Sequence, residues 1–100
     1  MLWAIACVDK PDTAAIRAEH LQTHRAYLQS QKRILVLAGA TQTDDGNEAI
    51  GSLFVVNVNS RAEAKSFSDG DPFTRAGVFA SVTITRMRKG QWNPEAAEGA

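Results

Sequence analysis

The sequence predicts one α+β domain in which an antiparallel sheet carries two helices on one face. The chain has 100 residues, of which 44% are hydrophobic and 22% charged, a composition typical of a single globular domain with a modest core. Hydrophobic residues alternate or run together in four short segments, and they follow a helical period in two others. The order and the boundaries of these six segments determine the predicted fold.

The first strand and the first helix occupy the N-terminal third of the chain. Residues 2–8 form a short apolar segment, and Asp9 to Asp12, with Pro11, interrupt it. Asp12 or Thr13 can cap the helix that follows, which we expect to extend to about Gln31. One face of this helix carries both histidines together with its large apolar residues: Ile16, His20, Leu21, His24, Tyr27 and Leu28.

The middle of the chain predicts a hairpin. Residues 34–40 are continuously apolar and rich in branched side chains, which indicates a central strand. The polar segment 43–48 contains Asp-Asp-Gly-Asn and has the composition of a turn. Residues 51–58 alternate again, so we expect them to return as the paired strand.

A second helix and a last strand complete the domain. Ser60 followed by Glu63 is a capping-box pattern, and it predicts a helix through Phe67. After a turn at Asp71, residues 78–87 alternate as a strand. Two strand-helix-strand units joined by a hairpin define the βαββαβ order of ferredoxin-like folds.

The face of the sheet away from the helices is predicted to be apolar, so it should be buried against a partner. Phe79 and Met87 are predicted to lie on it, and an apolar open face of this kind indicates a symmetric homodimer. From Gly90 onward the chain turns to Pro, Glu, Ala and Gly. We therefore expect a domain over residues 1–90 and a flexible C-terminal tail over residues 91–100.

The charge balance and the single cysteine limit the classes of function. Eleven basic residues match eleven acidic ones, so we expect neither nucleic acid nor a membrane as a partner. No apolar run approaches the ~18 residues of a membrane span. Cys7 cannot form an internal disulfide, which favours a cytoplasmic location, and its alternation with Trp3 and Ile5 predicts core packing.

Asp71 is the first candidate functional residue. Pro72 restricts its backbone and thereby fixes the direction of its carboxylate. The residue can cap the short turn after Pro72, or it can pair with His20 or His24 to move a proton. The spacing His20-Leu-Gln-Thr-His24 lacks the acid of a helical zinc motif, and no third ligand is indicated, so we predict no metal.

Four segments resemble the YCII family over roughly residues 1–89: RAEHLQTHRAYL (17–28), LAGAT (37–41), GSLFVVNVNSRAEAKSF (51–67) and DPFTRAGVF (71–79). The resemblance implies a dimeric α+β barrel and a catalytic histidine paired with an aspartate. The histidine of the Arg-x-x-His-Leu pattern falls on His20, and the aspartate of the Asp-Pro motif on Asp71. His24 and Ser52 are then expected to bind the substrate.

The resemblance also implies small cyclic substrates and no cofactor. The function predicted on this basis is a lyase or isomerase reaction on a small cyclic organic acid or phenol. In it, His20 is the general acid and base, and Asp71 orients its ring. Two alternatives remain open from the residues alone: a non-catalytic dimeric module that binds or senses a small molecule, and histidines that serve only the core.

Overall fold

The computed structural model describes all 100 residues and confirms the ferredoxin-like α+β fold. The elements in chain order are β1 (Leu2–Asp9), α1 (Ala14–Ser30), β2 (Leu35–Gln42), β3 (Ala49–Asn57), α2 (Arg61–Gly70), α3 (Pro72–Arg75), β4 (Phe79–Met87) and a 3-10 turn (Pro94–Ala97). The sheet order is β2-β3-β1-β4, with every neighbouring pair antiparallel. The division of the chain at residue 90 stays a prediction.

The N-termini of α1 and α2 show which of the predicted helix caps form in the structure. At α2 the capping box forms: Ser60 Oγ accepts from the Glu63 amide at 3.2 Å, and the Glu63 carboxylate accepts from the Asn59 amide at 2.7 Å. At α1, Thr13 is the N-cap residue but makes no capping bond through its side chain. Its hydroxyl donates instead to the Lys10 carbonyl at 3.0 Å, so this cap differs from the predicted one.

The core lies between the sheet and the helices. Trp3, Ile5 and Cys7 of β1 point to the helical side and are buried, which confirms the core position predicted for Cys7. Phe54 and Val56 of β3 lie on the same side, because antiparallel partners share a face. Two residues of α2 close this cluster, Ala64 and Phe67.

The opposite face of the sheet is open and apolar. Its large side chains are 38–56% exposed: Val8, Leu37, Leu53 and Met87. Met87 is where the sequence predicts it, whereas the prediction for Phe79 is wrong. The β1–β4 register shifts, so that Val8 faces Ser81 and Asp9 faces Phe79. The extra residue of this bulge turns Phe79 towards the helices, where its ring meets Phe73 edge-on at 6.4 Å.

Candidate active site

A buried hydrogen bond between a histidine and an aspartate joins the first helix to the junction of α2 and α3. His24 Nδ1 lies 2.7 Å from Asp71 Oδ1, and the side chains are 10% and 1% exposed, respectively. The same carboxylate oxygen accepts from the Phe73 amide at 2.9 Å and so caps α3, with Pro72 at the first helical position. One carboxylate therefore both caps a helix and pairs with a histidine, and its role in proton transfer stays a prediction.

The histidine that meets Asp71 is His24, and the predicted pairing of His20 with Asp71 is wrong. The side chain of His20 is 37% exposed, and its Nε2 atom lies 3.9 Å from the neighbouring Glu19 carboxylate. The two histidines are one helical turn apart, which places them about 40° apart around the axis and about 6 Å along it. Which of the two histidines contacts Asp71 therefore depends on where along the axis of α1 the Asp71 side chain packs.

Two aromatic rings fix the plane of the His24 imidazole. The Phe73 ring stacks on it with centroids 3.9 Å apart and an interplanar angle of 11°. Phe54 approaches edge-on at 6.3 Å. Because Asp71 starts the helix that carries Phe73, one turn of chain supplies both the hydrogen-bond acceptor and the stacking ring. The imidazole is thus held against rotation before any ligand arrives.

Arg17 connects the helix to two strands beside this pair. Its guanidinium donates to both carboxylate oxygens of Asp9, at 2.7 and 3.0 Å, and to the Gly51 carbonyl at 2.7 Å. It also donates to Ser52 Oγ at 3.0 Å. Because Ser52 accepts this bond, its own hydroxyl hydrogen remains free to donate elsewhere. The sequence patterns assign Arg17 no role, since nothing local links it to Asp9 or to β3.

A cavity of about 320 Å³ opens next to His24, Arg17 and Ser52. Its other walls are mostly apolar and come from α1, β2, β3 and α3: Leu21, Arg25, Leu28, Ala38, Gly39, Ala40, Phe54 and Phe73. Asp71 lies behind the imidazole and does not line the cavity. With Nδ1 committed to Asp71, Nε2 is the ring nitrogen left for a ligand. The volume suits a single-ring molecule.

The negative charge of Asp71 is only partly compensated. Its Oδ2 atom is buried and has no hydrogen-bond partner. The charge affects its neighbours: burial first, and then Asp71, raises the pKa of the Tyr27 phenol, whose hydroxyl donates to the Phe67 carbonyl at 2.7 Å. The direction of the carboxylate behind the imidazole is therefore set by the bonds that Oδ1 accepts from His24 and from the Phe73 amide.

Cys7 is predicted to be inert in the folded protein. Burial, followed by the charges of Asp71 and Asp9, raises the pKa of its thiol from 9.0 to about 12. We expect native protein at pH 9 to react with iodoacetamide at least about a hundredfold more slowly than protein unfolded in urea, because only the thiolate reacts. Timed alkylation followed by mass spectrometry measures both rates. Equal rates in the two states would contradict a buried, protonated thiol.

The same shift links Cys7 to stability at alkaline pH. The pKa of Cys7 is higher in the folded than in the unfolded protein. The contribution of the protonated thiol to the free energy of unfolding is therefore complete below pH 9 and is lost as the pH rises towards 12.

The structure contains no group of three or more His, Cys, Asp or Glu side chains that could hold a metal ion. None of the helices is long and apolar enough to cross a membrane.

The fold and the site together define a class of protein: a ferredoxin-like α+β domain with a buried His–Asp pair beside a cavity of about 320 Å³. The family model of the YCII-related domain matches residues 1–88, and the chain belongs to this family. Protein YciI of Escherichia coli is similar, with 29% identity over 96 residues that cover 89% of this chain and 98% of that protein.

Two solved structures extend the comparison. The chain is 32% identical to 5-chloro-2-hydroxyhydroquinone dehydrochlorinase (TftG) of Burkholderia phenoliruptrix, solved in complex with 2,5-dihydroxybenzoquinone. The TM-score is 0.82, and the match covers 90% of this chain and 96% of that one. An antibiotic biosynthesis monooxygenase, 18% identical with a TM-score of 0.52 over 88% of this chain and 97% of that one, shares the fold alone.

Proposed function

We propose that this protein is a cofactor-independent acid–base enzyme, a lyase or isomerase acting on a small cyclic organic acid or phenol. The observation that carries the proposal is the 2.7 Å contact between His24 Nδ1 and Asp71 Oδ1 at the wall of the cavity. His24 takes the role of general base and acid that the sequence assigns to His20. Asp71 keeps its expected role and orients the ring.

The proposed chemistry is a proton transfer at His24 Nε2. Asp71 accepts a hydrogen bond from Nδ1–H, so the neutral ring keeps its hydrogen on Nδ1 and presents the Nε2 lone pair to the cavity. Nε2 removes one proton from the ligand, and Asp71 stabilises the imidazolium that forms. The electron pair left on the ligand either expels a leaving group, as in a lyase, or allows the proton to return at another atom, as in an isomerase.

Ser52 is the proposed donor to the ligand oxygen. Its hydroxyl accepts from Arg17 at 3.0 Å, which leaves its hydrogen available to a phenolate or keto oxygen in the cavity. A hydrogen bond that strengthens as negative charge develops on this oxygen would lower the barrier to proton removal. Arg17, held by Asp9, fixes the position of Ser52 and is a positioning residue.

The relative TftG suggests the first compound to try. That protein is a dehydrochlorinase of 5-chloro-2-hydroxyhydroquinone, and its bound ligand is one substituted ring. For this chain we propose a ligand of the same size, since the cavity of about 320 Å³ has room for one ring. Loss of hydrogen chloride from such a ring needs a base for the proton and no redox partner.

The test is to incubate the purified protein with 5-chloro-2-hydroxyhydroquinone under anaerobic conditions and to follow chloride release. Release that is proportional to enzyme concentration and exceeds the rate in buffer supports the enzyme. The alternative, a non-catalytic binding or sensing module, predicts saturable binding of 2,5-dihydroxybenzoquinone without turnover of 5-chloro-2-hydroxyhydroquinone or of a panel of chlorinated phenols, lactones and cyclic carboxylic acids. That result would remove the catalytic role.

The cytoplasmic location stays a prediction.

We also propose that the protein works as a homodimer joined through its open sheet face. Part of that face lines a groove of about 1000 Å³, whose apolar walls include Leu37, Val55 and Met87. An apolar surface of this extent favours a partner, and a second copy of the same sheet would cover it through the same patch on both subunits if the two are related by a two-fold axis.

Leu37→Glu should convert the proposed dimer into a monomer, because Leu37 is 56% exposed at this face and a charge there would be buried without a partner. Sedimentation velocity measures the change in mass. Gln29→Glu adds the same charge on exposed helix surface and should leave the dimer intact. A wild-type protein that sediments as a monomer would contradict the proposal.

A further inference from the structure

We propose that Arg25 recognises a carboxylate on the ligand, so that the substrate is a cyclic carboxylic acid rather than a neutral phenol. This inference rests on the proposed function and narrows its substrate class. It concerns a part of the cavity wall that the proton-transfer mechanism does not use.

The cavity is lined by basic groups and by no acid. Of its two arginines, Arg17 is committed: its guanidinium already donates to Asp9, to Gly51 and to Ser52. The charge of Arg17 is therefore balanced inside the protein. Arg25 differs, because its guanidinium makes no hydrogen bond and no ion pair, and its side chain is exposed. It is the one cavity-lining arginine with all its donors free for a ligand.

The sequence of α1 fixes where this free charge lies. Arg25 directly follows His24, so its side chain leaves the helix about 100° around the axis from the imidazole, towards solvent. A ligand ring packed between Phe54 and Leu28 can thus place one oxygen at His24 and Ser52 while a second, ionised substituent reaches Arg25. The planar guanidinium suits a carboxylate, which it can bind through two parallel hydrogen bonds.

The expected contribution is moderate, because Arg25 is exposed to solvent. Ion pairs at such positions are weakened by water and by salt, and they change affinity by roughly fivefold at low ionic strength. The effect should therefore appear as a preference between ligands of equal shape and different charge, and it should fade as salt is added. Loss of an apolar wall would weaken both ligands and would not depend on salt.

The test compares benzoate with benzamide, which have the same ring and nearly the same shape and differ by one charge at pH 7.5. We expect the wild-type protein to bind benzoate roughly fivefold more tightly than benzamide in titration calorimetry or ligand-observed NMR at low salt. Arg25→Gln should remove this preference and leave benzamide affinity unchanged. Arg33→Gln removes the charge of an exposed arginine that does not line the cavity, and it should keep the preference.

Equal affinity of the wild type for the two compounds, an unchanged preference in Arg25→Gln, or binding of neither compound would each overturn the assignment of Arg25. The measurement reads binding alone, so it does not depend on turnover. If the protein prefers benzoate through Arg25 but has no catalytic activity, the assignment of Arg25 holds and the proposed enzymatic function is wrong. If the protein turns over an uncharged phenol but lacks the preference, the enzymatic function holds and the assignment of Arg25 is wrong.

Discussion

Replacing His24 with glutamine is expected to lower kcat by about 10²- to 10⁴-fold, the range typical of a lost general acid or base. His20→Gln is the matched control, one helical turn away on the same helix, and it should retain kcat within about twofold. The reason is geometric: His24 meets Asp71 at 2.7 Å and lines the cavity, whereas His20 faces Glu19 and does not line it.

Steady-state kinetics of the two variants, with circular dichroism to confirm that both are folded, decides between the histidines. Loss of activity in His20→Gln with full activity in His24→Gln would return the catalytic role to the residue that the sequence pattern selects. Full activity in both variants would leave the imidazoles with a structural role only.

Changing Asp71 should have effects that depend on the replacement. Asparagine keeps an oxygen that can accept from the Phe73 amide, so α3 should persist while the negative charge is lost. We expect Asp71→Asn to lower kcat by roughly 10²-fold. Asp71→Ala should in addition lower the free energy of unfolding by about 1–3 kcal/mol, because it leaves buried donors of His24 and Phe73 without an acceptor.

Urea denaturation monitored by fluorescence, together with kcat, separates the two contributions of Asp71. The stability difference between the alanine and asparagine variants reports the cap and the buried hydrogen bonds. The activity difference between the wild type and the asparagine variant reports the charge. An asparagine variant with wild-type kcat would reduce Asp71 to a helix cap.

The order of the elements could be predicted from sequence because each has a local signal. Alternation identifies the strands, and the Ser60–Glu63 capping box starts α2 as expected. The position of Phe79 could not be predicted in the same way. It depends on one extra residue opposite Val8 and Asp9, and a bulge of this kind is decided by pairing between strands that are distant in the sequence.

The site shows the same division between local and long-range information. The restriction of Asp71 by Pro72 and its role as a cap are local, and both are visible in the sequence. The choice of His24 over His20 is set by where α3 packs along α1, and the two positions differ by only about 40° around the helix. The bonds of Arg17 to Asp9 and Ser52 span eight and 35 residues and have no local pattern.

We infer that Asp71 holds His24 with its Nε2 lone pair towards the cavity. The most direct measurement is the tautomer of the neutral His24 ring, read from ¹⁵N chemical shifts and long-range ¹H–¹⁵N correlations in the wild type and in Asp71→Ala. We predict the Nδ1–H form for His24 in the wild type and loss of this preference in the variant. A neutral His24 ring protonated at Nε2 in the wild type, or a tautomer that is the same in the wild type and in Asp71→Ala, would contradict this role of Asp71.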